Sequence, residues 1–350
     1  MKATSVSSAA ISNAMRYSQN RMQVDLVKAQ KEMDTGRVAD VGLALGARTT
    51  QSVTFQRDLD RLKGIVDSNA LISSRLSSTQ DALGQLTDTA QTLLAALPSA
   101  ISGDMTSDVT RDSGKAALES MTSILNTSVN GEYLFAGTNT DVKPINDFAA
   151  GGSPAKGALD AAFLAHFGFT QDDPAAANIT ADDMDDFLTN DVMPQFMGSD
   201  WQANWSNASD QPIVSRIALN ETTETSVSAN NDGVRKLAMA AAVVADLFSS
   251  STLSADARKT VASRAFSWVG EASSDLGQVQ SQTGIIENRV SSATDRMNTQ
   301  VDLFNQHIVD LEGVDPYEAA NRVNDLVSHI QTSFALTARI QQLSLLNFLT

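Results

Sequence analysis

Proline placement is the feature that most constrains how this 350-residue chain can fold. Five of its seven prolines lie between positions 144 and 212, and only Pro98 and Pro316 lie outside that stretch. Because proline removes a backbone donor and clashes with the preceding turn, its scarcity elsewhere permits very long helices, and its clustering marks an insert. The sequence therefore predicts two helical ends that pair with each other in space and enclose a different middle segment.

The composition also favours long packed helices. Apolar residues make up 42% of the chain but aromatic residues only 5%, which suits helices packed through Ala, Leu, Val and Met better than a large sheet. We expect a mainly α fold: a long antiparallel helical rod with coiled-coil termini, β-hairpins and a small α+β insert domain. The predicted domains are the terminal assembly helices (1–45 and 313–350), the helical rod domain (46–137 and 233–312) and the acidic insert domain (138–232).

Charge and hydropathy exclude several classes of partner. The formal net charge is −16, and residues 138–232 hold fifteen acidic side chains against three basic ones. Nucleic-acid binding requires a basic stripe, which the sequence does not show. The longest apolar run, residues 237–244, is too short to span a bilayer, and residues 1–12 lack the apolar core of a cleaved signal peptide. We therefore expect neither nucleic acid nor membrane as a partner.

Helical periodicity divides the first 131 residues into three predicted helices. Apolar residues recur at spacings of three, four and seven before Gly36, which should end the first helix. A second helix is predicted over 53–97, followed by a loop from Pro98 to Asp108. A third should cover 109–129 and end at Asn130 and Gly131, since these residues adopt the left-handed conformation of helix C-caps.

The remainder of the chain combines short strands with long helices. Strands are predicted over 132–138 and, as a pair, over 213–219 and 222–227. Helices should follow over 234–248 and again from Asp256. The clearest heptad pattern, which we expect to pack within the chain against the 53–97 helix, comprises Ile286, Val290, Ala293, Met297, Val301, Phe304, Ile308 and Leu311.

Both ends of the chain carry an apolar stripe that we interpret as a subunit interface. After the break at Gly313 to Pro316, a last helix should run towards the C-terminus, with little except the first helix to pack against. An exposed apolar stripe of that length requires a partner, either another subunit, which we favour, or the matching helix of the same chain. The predicted interface residues are Ile11, Met15, Met22, Leu26, Met33, Val323, Leu326, Ile330, Phe334, Ile340, Leu343 and Leu346.

The sequence offers little for metal binding or catalysis. The acidic cluster from Asp182 to Asp186 could bind calcium, but it lacks the glycine turn and distal glutamate of an EF-hand, and Thr180 with Asp183 better fits a helix N-cap. The three histidines are far apart, and the chain has no cysteine. No phosphate-binding loop or nucleophile elbow is present. We therefore expect no metal, no cofactor and no enzymatic activity.

Two tryptophans in the insert allow two interpretations. Trp201 and Trp205 lie one helical turn apart and close to Phe196. They could form a recognition platform, but such residues more often form the core of a small domain, which we favour.

Two segments carry a resemblance to a known family. The run NGEYLFAGT, from Asn130 to Thr138, resembles the hairpin entry of the flagellin superfamily, with Gly131, Tyr133, Phe135 and Gly137 as its structural motif. The ending ARIQQLSLLNFL, from Ala338 to Leu349, resembles that of the hook-associated protein 3 (hook-filament junction) family within this superfamily. The overall plan, including a first helix that ends in Thr35, Gly36 and Arg37, is similar as well.

The chain departs from the family pattern at two places. Residues 38–47 read VADVGLALGA, where the family often has a proline and paired aspartates. Phe348 stands where tyrosine is more usual. Filament flagellins commonly end differently, so the C-terminal sequence favours the junction protein over the filament subunit.

The resemblance implies a secreted structural protein of the bacterial flagellum, located at the hook-filament junction and exported through the flagellar type III channel. Its implied partners are neighbouring copies of itself, hook-associated protein 1 on the hook side, flagellin or another subunit on the filament side, and an export chaperone that binds the C-terminal helices. The alternatives are a flagellin-like filament subunit and a soluble enzyme or ligand-binding protein that uses the acidic insert.

Overall fold

The structure, a computed structural model, describes residues 8–103, 106–249 and 252–346. It is 75% helical, which confirms the mainly α prediction. The helices are α1 (Ser8–Thr35), α2 (Val41–Leu45), α3 (Thr49–Ser102), α4 (Ser107–Leu125), α5 (Pro154–Phe167), α6 (Ala181–Phe187), α7 (Met193–Met197), α8 (Asp200–Asn204), α9 (Asp232–Leu247), α10 (Ala255–Glu312) and α11 (Pro316–Leu346). The strands are β1 (Ser128–Val129), β2 (Glu132–Tyr133), β3 (Val214–Ala218) and β4 (Glu221–Glu224).

The chain divides into two compact units. The first unit consists of Met1–Gly64 and Met297–Thr350, and the second of Ile65–Arg296. Both boundaries fall inside helices, one within α3 and the other within α10. The division into assembly helices, rod and insert stays a prediction, because this two-unit division follows different boundaries.

In the first unit, the two ends of the chain pair as predicted. Helix α1 packs along α11, and two contacts show that the helices are antiparallel. Arg322 donates a hydrogen bond to Glu32 at 2.8 Å, whereas Gln19 donates to Thr337 at 3.1 Å. Residues that are earlier in α1 therefore meet residues that are later in α11.

The heptad pattern of α10 packs against α3 in each unit, which confirms that prediction. In the first unit the rings of Phe55 and Phe304 lie 5.6 Å apart. In the second unit Leu76 belongs to one buried cluster with Val290 and Ala293. The seam is thus apolar along both halves of the helix pair.

The main core of the second unit is built around α4 and α9. Every residue of α9 from Leu237 to Leu247 is buried, because the helix is covered on all sides by its neighbours. Helix α4 approaches it closely at Gly114, where an added Cβ would lie only 2.6 Å from the backbone nitrogen of Ala245. A larger residue at position 114 would therefore push the two helices apart.

The insert contributes its aromatic residues to that same core. Phe163 and Phe187 pack edge to face at 5.5 Å, and the indoles of Trp201 and Trp205 stack at 5.6 Å. Phe196 and both tryptophans are almost completely buried. The core interpretation of these tryptophans is therefore confirmed, and they form no exposed platform.

The first hairpin corrects the expected end of the third helix. Helix α4 already ends at Leu125, and Asn130 (φ 54°) and Gly131 (φ 86°) form the two-residue turn between β1 and β2. Positive φ at both positions is what a type I′ hairpin turn requires, and Asn-Gly is its preferred sequence.

The strand predicted over 132–138 is also shorter than expected. Only Glu132 and Tyr133 pair as β2. Beyond them, Phe135 is fully buried, and an added Cβ at Gly137 would lie 2.4 Å from the Ser209 carbonyl oxygen. After Tyr133 the chain therefore leaves the sheet and passes into the core.

Pro98 does not end the second helix as expected. Helix α3 continues through it to Ser102. Proline costs about 3 kcal/mol in a helix interior, but the neighbouring Leu97 is fully buried, and its packing holds this turn in helical form. Tertiary contacts therefore override the local preference at this position.

The second hairpin lies where it was predicted. Strands β3 and β4 pair antiparallel, with a bulge between Arg216 and Ala218. The residue at the bulge, Ile217, is fully buried against the α3–α10 seam. This side chain and the ion pairs of Glu221 with Arg289 and Arg296 anchor the hairpin to the helices.

Candidate assembly surface

The predicted interface residues of α1 lie mostly along its contact with α11. Ile11, Met15, Met22 and Leu26 are half-buried, and Met33 is 39% exposed. The sulfur of Met15 accepts a hydrogen bond from Thr337 at 3.7 Å. The intramolecular pairing therefore exists, but it leaves the stripe incompletely covered.

The matching residues of α11 show the same partial burial. Val323, Leu326 and Ile330 are half-buried, and Phe334 is 51% exposed. The side chains of Ile340, Leu343 and Leu346 lie outside the described part of the chain. All twelve positions therefore stay a prediction as subunit contacts.

A second apolar face on α1 was missed by the sequence analysis. Tyr17 is 74% exposed, Val24 55% and Val27 65%. They are spaced seven and three residues apart, so they share one face of the helix, away from the predicted stripe. The same spacing rule could have found them, but the larger stripe of methionine and leucine obscured the signal.

The segment between α1 and α3 adopts a defined helical conformation. Gly36 ends α1 with φ 65°, and the divergent sequence at 38–47 forms the short helix α2. Asp40 caps that helix by accepting a hydrogen bond from the backbone N–H of Leu43 at 3.1 Å. The single aspartate of this segment therefore has a structural role as an N-cap.

A buried carboxylate joins the four helix ends that meet in the first unit. Glu312, the last residue of α10, is 1% exposed. It accepts hydrogen bonds from Ser52 and, at 3.2 Å, from Gln56, both in the first turns of α3. The guanidinium of Arg37 lies 3.6 Å from its other oxygen. Nothing in the local sequence had singled out Glu312.

Backbone hydrogen bonds strengthen the same junction. The N–H of Val38 donates to the carbonyl of Glu312 at 2.8 Å, and the N–H of Val314 donates to the carbonyl of Gly36 at 3.0 Å. Arg37 and Gly313 therefore form an antiparallel bridge. We call Gly36–Val38, Ser52, Gln56 and Glu312–Val314 the Glu312 junction.

A second carboxylate links α1 to α11 beside this junction. Glu32 accepts from Arg322 at 2.8 Å and from the backbone N–H of Ala39 at 3.1 Å. Its side chain is only 14% exposed. Local contacts also define where α11 begins. The Asp315 carboxylate accepts a hydrogen bond from the backbone N–H of Tyr317, and Pro316 occupies the first helical position.

The acidic cluster of the insert is used for local structure. Thr180 and Asp183 form a capping box at the start of α6, which confirms the N-cap interpretation. Asp185 accepts two hydrogen bonds from Arg264, and these lower its pKa. Within the described residues, no three His, Asp or Glu side chains are grouped so as to hold a metal ion.

Among the described residues of the second unit, Asp246 in α9 is the most buried charged residue. Its carboxylate accepts from Gln171 at 2.6 Å and pairs with Lys156 of the insert at 3.0 Å. Burial raises the pKa of Asp246, and the two donors oppose that shift. It borders a cavity of about 370 Å³ whose apolar wall includes Phe148 and Leu118. The Lys156–Asp246 pair thus ties the insert to α9.

No helix in the described part of the chain is both long enough and apolar enough to cross a membrane.

Comparison with known proteins gives one family and one fold. Residues 6–140 match the bacterial flagellin N-terminal helical region, and residues 266–349 match the bacterial flagellin C-terminal helical region. No curated protein matches the chain by sequence. A solved structure from Vibrio parahaemolyticus, provisionally described as a flagellar hook-associated protein, is similar with a TM-score of 0.51 and 11% identity. The similarity covers 76% of this chain and 97% of that one, and at this identity it speaks for the fold alone.

The matched regions are the helical segments that bring the two ends of the chain together in the first unit, and they extend along α3, α4 and α10 into the second. They cover more than half of the sequence between them. The chain therefore belongs to the bacterial flagellin family and is an exported structural component of the flagellum.

Proposed function

We propose that this chain joins the hook to the filament as a hook-filament junction protein. The observation that carries the proposal is the open apolar surface of the paired terminal helices. Tyr17, Val24 and Val27 on α1, together with Phe334 on α11, are too exposed to be explained by the pairing within one chain. Covering them requires neighbouring subunits.

Two further observations favour the junction over the filament. The C-terminal sequence from Ala338 to Leu349 resembles that of hook-filament junction proteins. The fold is similar to that of the Vibrio parahaemolyticus protein, nearly all of which aligns with this chain. In this proposal the subunit contacts hook-associated protein 1 on the hook side and flagellin or another subunit on the filament side.

The proposed mechanism is mechanical, without a catalytic step. The stripes of α1 and α11 that hold the predicted interface residues pair within a subunit. The parts of those stripes that this pairing leaves open, together with the exposed face of Tyr17, Val24 and Val27, contact neighbouring copies. Before assembly, an export chaperone covers the C-terminal helix and prevents premature contacts. Burying a leucine-sized side chain contributes roughly 1.5–3 kcal/mol, so each exposed apolar residue that a neighbouring copy covers adds to the stability of the lattice.

Deletion of the gene tests the location. Cells that lack this chain should carry bare hooks and release flagellin into the medium, because filament subunits are still exported but have nothing to attach to. Electron microscopy and an assay for flagellin in the medium measure both effects. Normal filaments on the deletion strain would contradict the proposal.

A gold label on the insert separates the junction from the filament-subunit alternative. The label should appear as one band at the distal end of the hook. Labelling along the whole filament would show a flagellin-like subunit instead.

A truncation separates assembly from ligand binding by the insert. Removing residues 322–350 should abolish assembly, while the fluorescence of Trp201, Trp205 and Trp268 stays native, since all three lie in the second unit. Full cellular function of this truncated chain would favour an enzyme or binding protein that acts through the insert.

A further inference from the structure

Glu312 combines properties that a surface residue at a helix end does not need. It is the last residue of α10, yet its side chain is only 2% exposed, and both carboxylate oxygens have partners. Burying a carboxylate costs several kcal/mol unless hydrogen bonds and an opposite charge compensate it. A buried charge at this place therefore points to a positional role rather than to a contribution to stability.

The side-chain partners of Glu312 come from two other segments. Arg37 follows α1, whereas Ser52 and Gln56 lie in the first turns of α3. Next to the carboxylate, the bridge between Arg37 and Gly313 fixes the backbone that enters α11. The Glu312 side chain and the adjacent backbone bridge thus hold the end of α1, the start of α3, the end of α10 and the start of α11 together.

We infer that Glu312 is the positioning residue of the assembly helices: it fixes the direction in which the α1–α11 pair leaves α3 and α10 within the first unit. The inference rests on the proposed function only in so far as that pair is the assembly surface. Its structural part is independent of whether the subunit lies at the junction or in the filament.

The sequence separation of the partners gives the junction a second property. Gln56 and Glu312 are 256 residues apart, and Ser52 and Glu312 are 260 residues apart. The junction therefore forms only when both halves of the chain are present and correctly paired. A subunit with an incomplete or mispaired end lacks the fixed direction and cannot join a regular lattice.

Spin labels test the positioning role in the isolated full-length chain. The chain has no cysteine, so single cysteines can be introduced at exposed positions without background. Labels at Lys28 in α1 and Arg57 in α3 report the direction of the pair, whereas labels at Lys28 and His329 report the pairing of α1 with α11. All three positions are exposed and belong to the first unit.

We expect Glu312→Ala to broaden the distance distribution between positions 28 and 57 and to leave the distribution between 28 and 329 narrow. Glu312→Gln keeps an oxygen that can accept from Ser52 and Gln56, so it should broaden the first distribution less. Asp310→Asn is the matched control, because it removes an exposed charge two residues away in the same helix.

A narrow 28–57 distribution in Glu312→Ala would overturn the inference. A broad 28–57 distribution in the unsubstituted chain would also overturn the inference, because the junction would then not fix the direction of the α1–α11 pair. Unchanged tryptophan fluorescence verifies that the second unit stays folded in every variant.

Complementation of the deletion strain tests the consequence for assembly. Strains with Glu312→Ala should lose attached filaments, whereas strains with Asp310→Asn should keep them. Full filament numbers with Glu312→Ala would overturn the assembly part of the inference. Because the spin-label result does not depend on the place of the subunit in the flagellum, failure of the junction proposal would leave it intact.

Discussion

Two phenylalanines show how differently the two units are packed. Phe163, in α5 of the second unit, is completely buried, and its ring lies 4.6 Å from Phe167 and 5.5 Å from Phe187. Phe334, in α11 of the first unit, keeps 51% of its surface exposed. The second unit thus encloses a large apolar core around such residues, whereas Phe334 belongs to the apolar surface that we propose other subunits cover.

The largest expected effect is the difference in stability between the alanine variants of these two residues. Phe163→Ala should lower the free energy of unfolding of the second unit by about 3–5 kcal/mol, because it removes buried ring contacts and leaves a cavity. Phe334→Ala should change it by less than about 0.5 kcal/mol, since the side chain is half exposed and belongs to the first unit. Denaturant unfolding followed by tryptophan fluorescence measures both values.

The same pair of variants should separate stability from assembly. Phe334→Ala should reduce the number of attached filaments, and His329→Ala, a change at an exposed position of the same helix, should not. Equal losses of stability in Phe163→Ala and Phe334→Ala would refute the contrast between the units.

Close helix packing gives the next largest effect. An added Cβ at Gly114 would lie 2.6 Å from the Ala245 nitrogen and 3.0 Å from the Ala241 carbonyl oxygen. Gly114→Ala should therefore lower the free energy of unfolding by about 1–3 kcal/mol, because backbone atoms on both helices must move. The measurement is again denaturant unfolding followed by tryptophan fluorescence.

Gly277→Ala is the matched control for this variant. Position 277 lies in α10, and no atom comes within 4 Å of an added Cβ there. Alanine should stabilise the helix by about 0.5–1 kcal/mol. If both substitutions changed the free energy of unfolding in the same direction, close packing between α4 and α9 would not explain the effect of Gly114→Ala.

The third effect concerns the buried charge that links the insert to α9. Lys156→Met should lower the free energy of unfolding at pH 7 by about 1–2 kcal/mol, less than for a fully buried pair because the lysine side chain is 44% exposed. The Asp246 carboxylate then keeps its hydrogen bond from Gln171 but loses its positively charged partner.

The pH dependence of that effect follows from the raised pKa of Asp246. A carboxyl group that binds its proton more tightly in the folded state favours folding at low pH, and this contribution is lost as the pH rises through the folded pKa. The cost of Lys156→Met should therefore shrink on acidification. In the Asp246→Asn background, Lys156→Met should lose most of this dependence and keep only the small one from its exposed pair with Asp160. A cost that grows at low pH would contradict the assignment.

Long-range patterns in the sequence predicted the larger features of this fold. The heptad from Ile286 to Leu311 correctly indicated packing against the earlier helix, and the two β-rich runs at 213–219 and 222–227 indicated the β3–β4 hairpin. These features repeat over many residues, so each position supports the others. Errors at single positions do not change such a prediction.

Features set by one or two residues were harder to predict. Asn130 and Gly131 favour positive φ whether they end a helix or turn a hairpin, and only the packing of Leu125 and Leu134 in the core decides between the two. The sequence around Glu312 does not distinguish it from the exposed Asp310. Its burial depends on residues more than 250 positions away. Contacts between residues so far apart cannot be predicted from the neighbouring sequence.

Polar residues in the apolar seam show the same limit. Asn69 interrupts the pattern of α3, and its side chain donates to the carbonyl of Ile217 at 2.9 Å and to Thr294 at 3.0 Å. Gln80 donates to the carbonyl of Gln280 at 2.9 Å. Hydrogen bonds therefore connect α3 to α10 at the polar positions that interrupt the apolar pattern.

The smallest expected effect concerns an ion pair near the surface of the second unit. Arg264 hydrogen-bonds to Asp185 and lowers the pKa of that carboxyl group, but the side chains are 37% and 42% exposed, so solvent screens the interaction. Asp185→Asn should cost no more than about 1 kcal/mol at pH 7. A lowered pKa stabilises the fold above the ordinary carboxyl pKa, and that contribution is lost as the pH falls through the folded pKa.

The difference between Asp185→Asn and the parent chain should therefore begin to shrink as the pH falls past about 4, the ordinary carboxyl pKa, and disappear only below the lowered pKa of Asp185. Unfolding curves at pH 7 and at low pH, at matched ionic strength, measure this change. Arg264→Gln should have the same small effect, and the double variant should cost no more than either single one if the pair acts as a unit. A cost near that of Phe163→Ala would mean that charge, rather than apolar packing, distinguishes the second unit from the first.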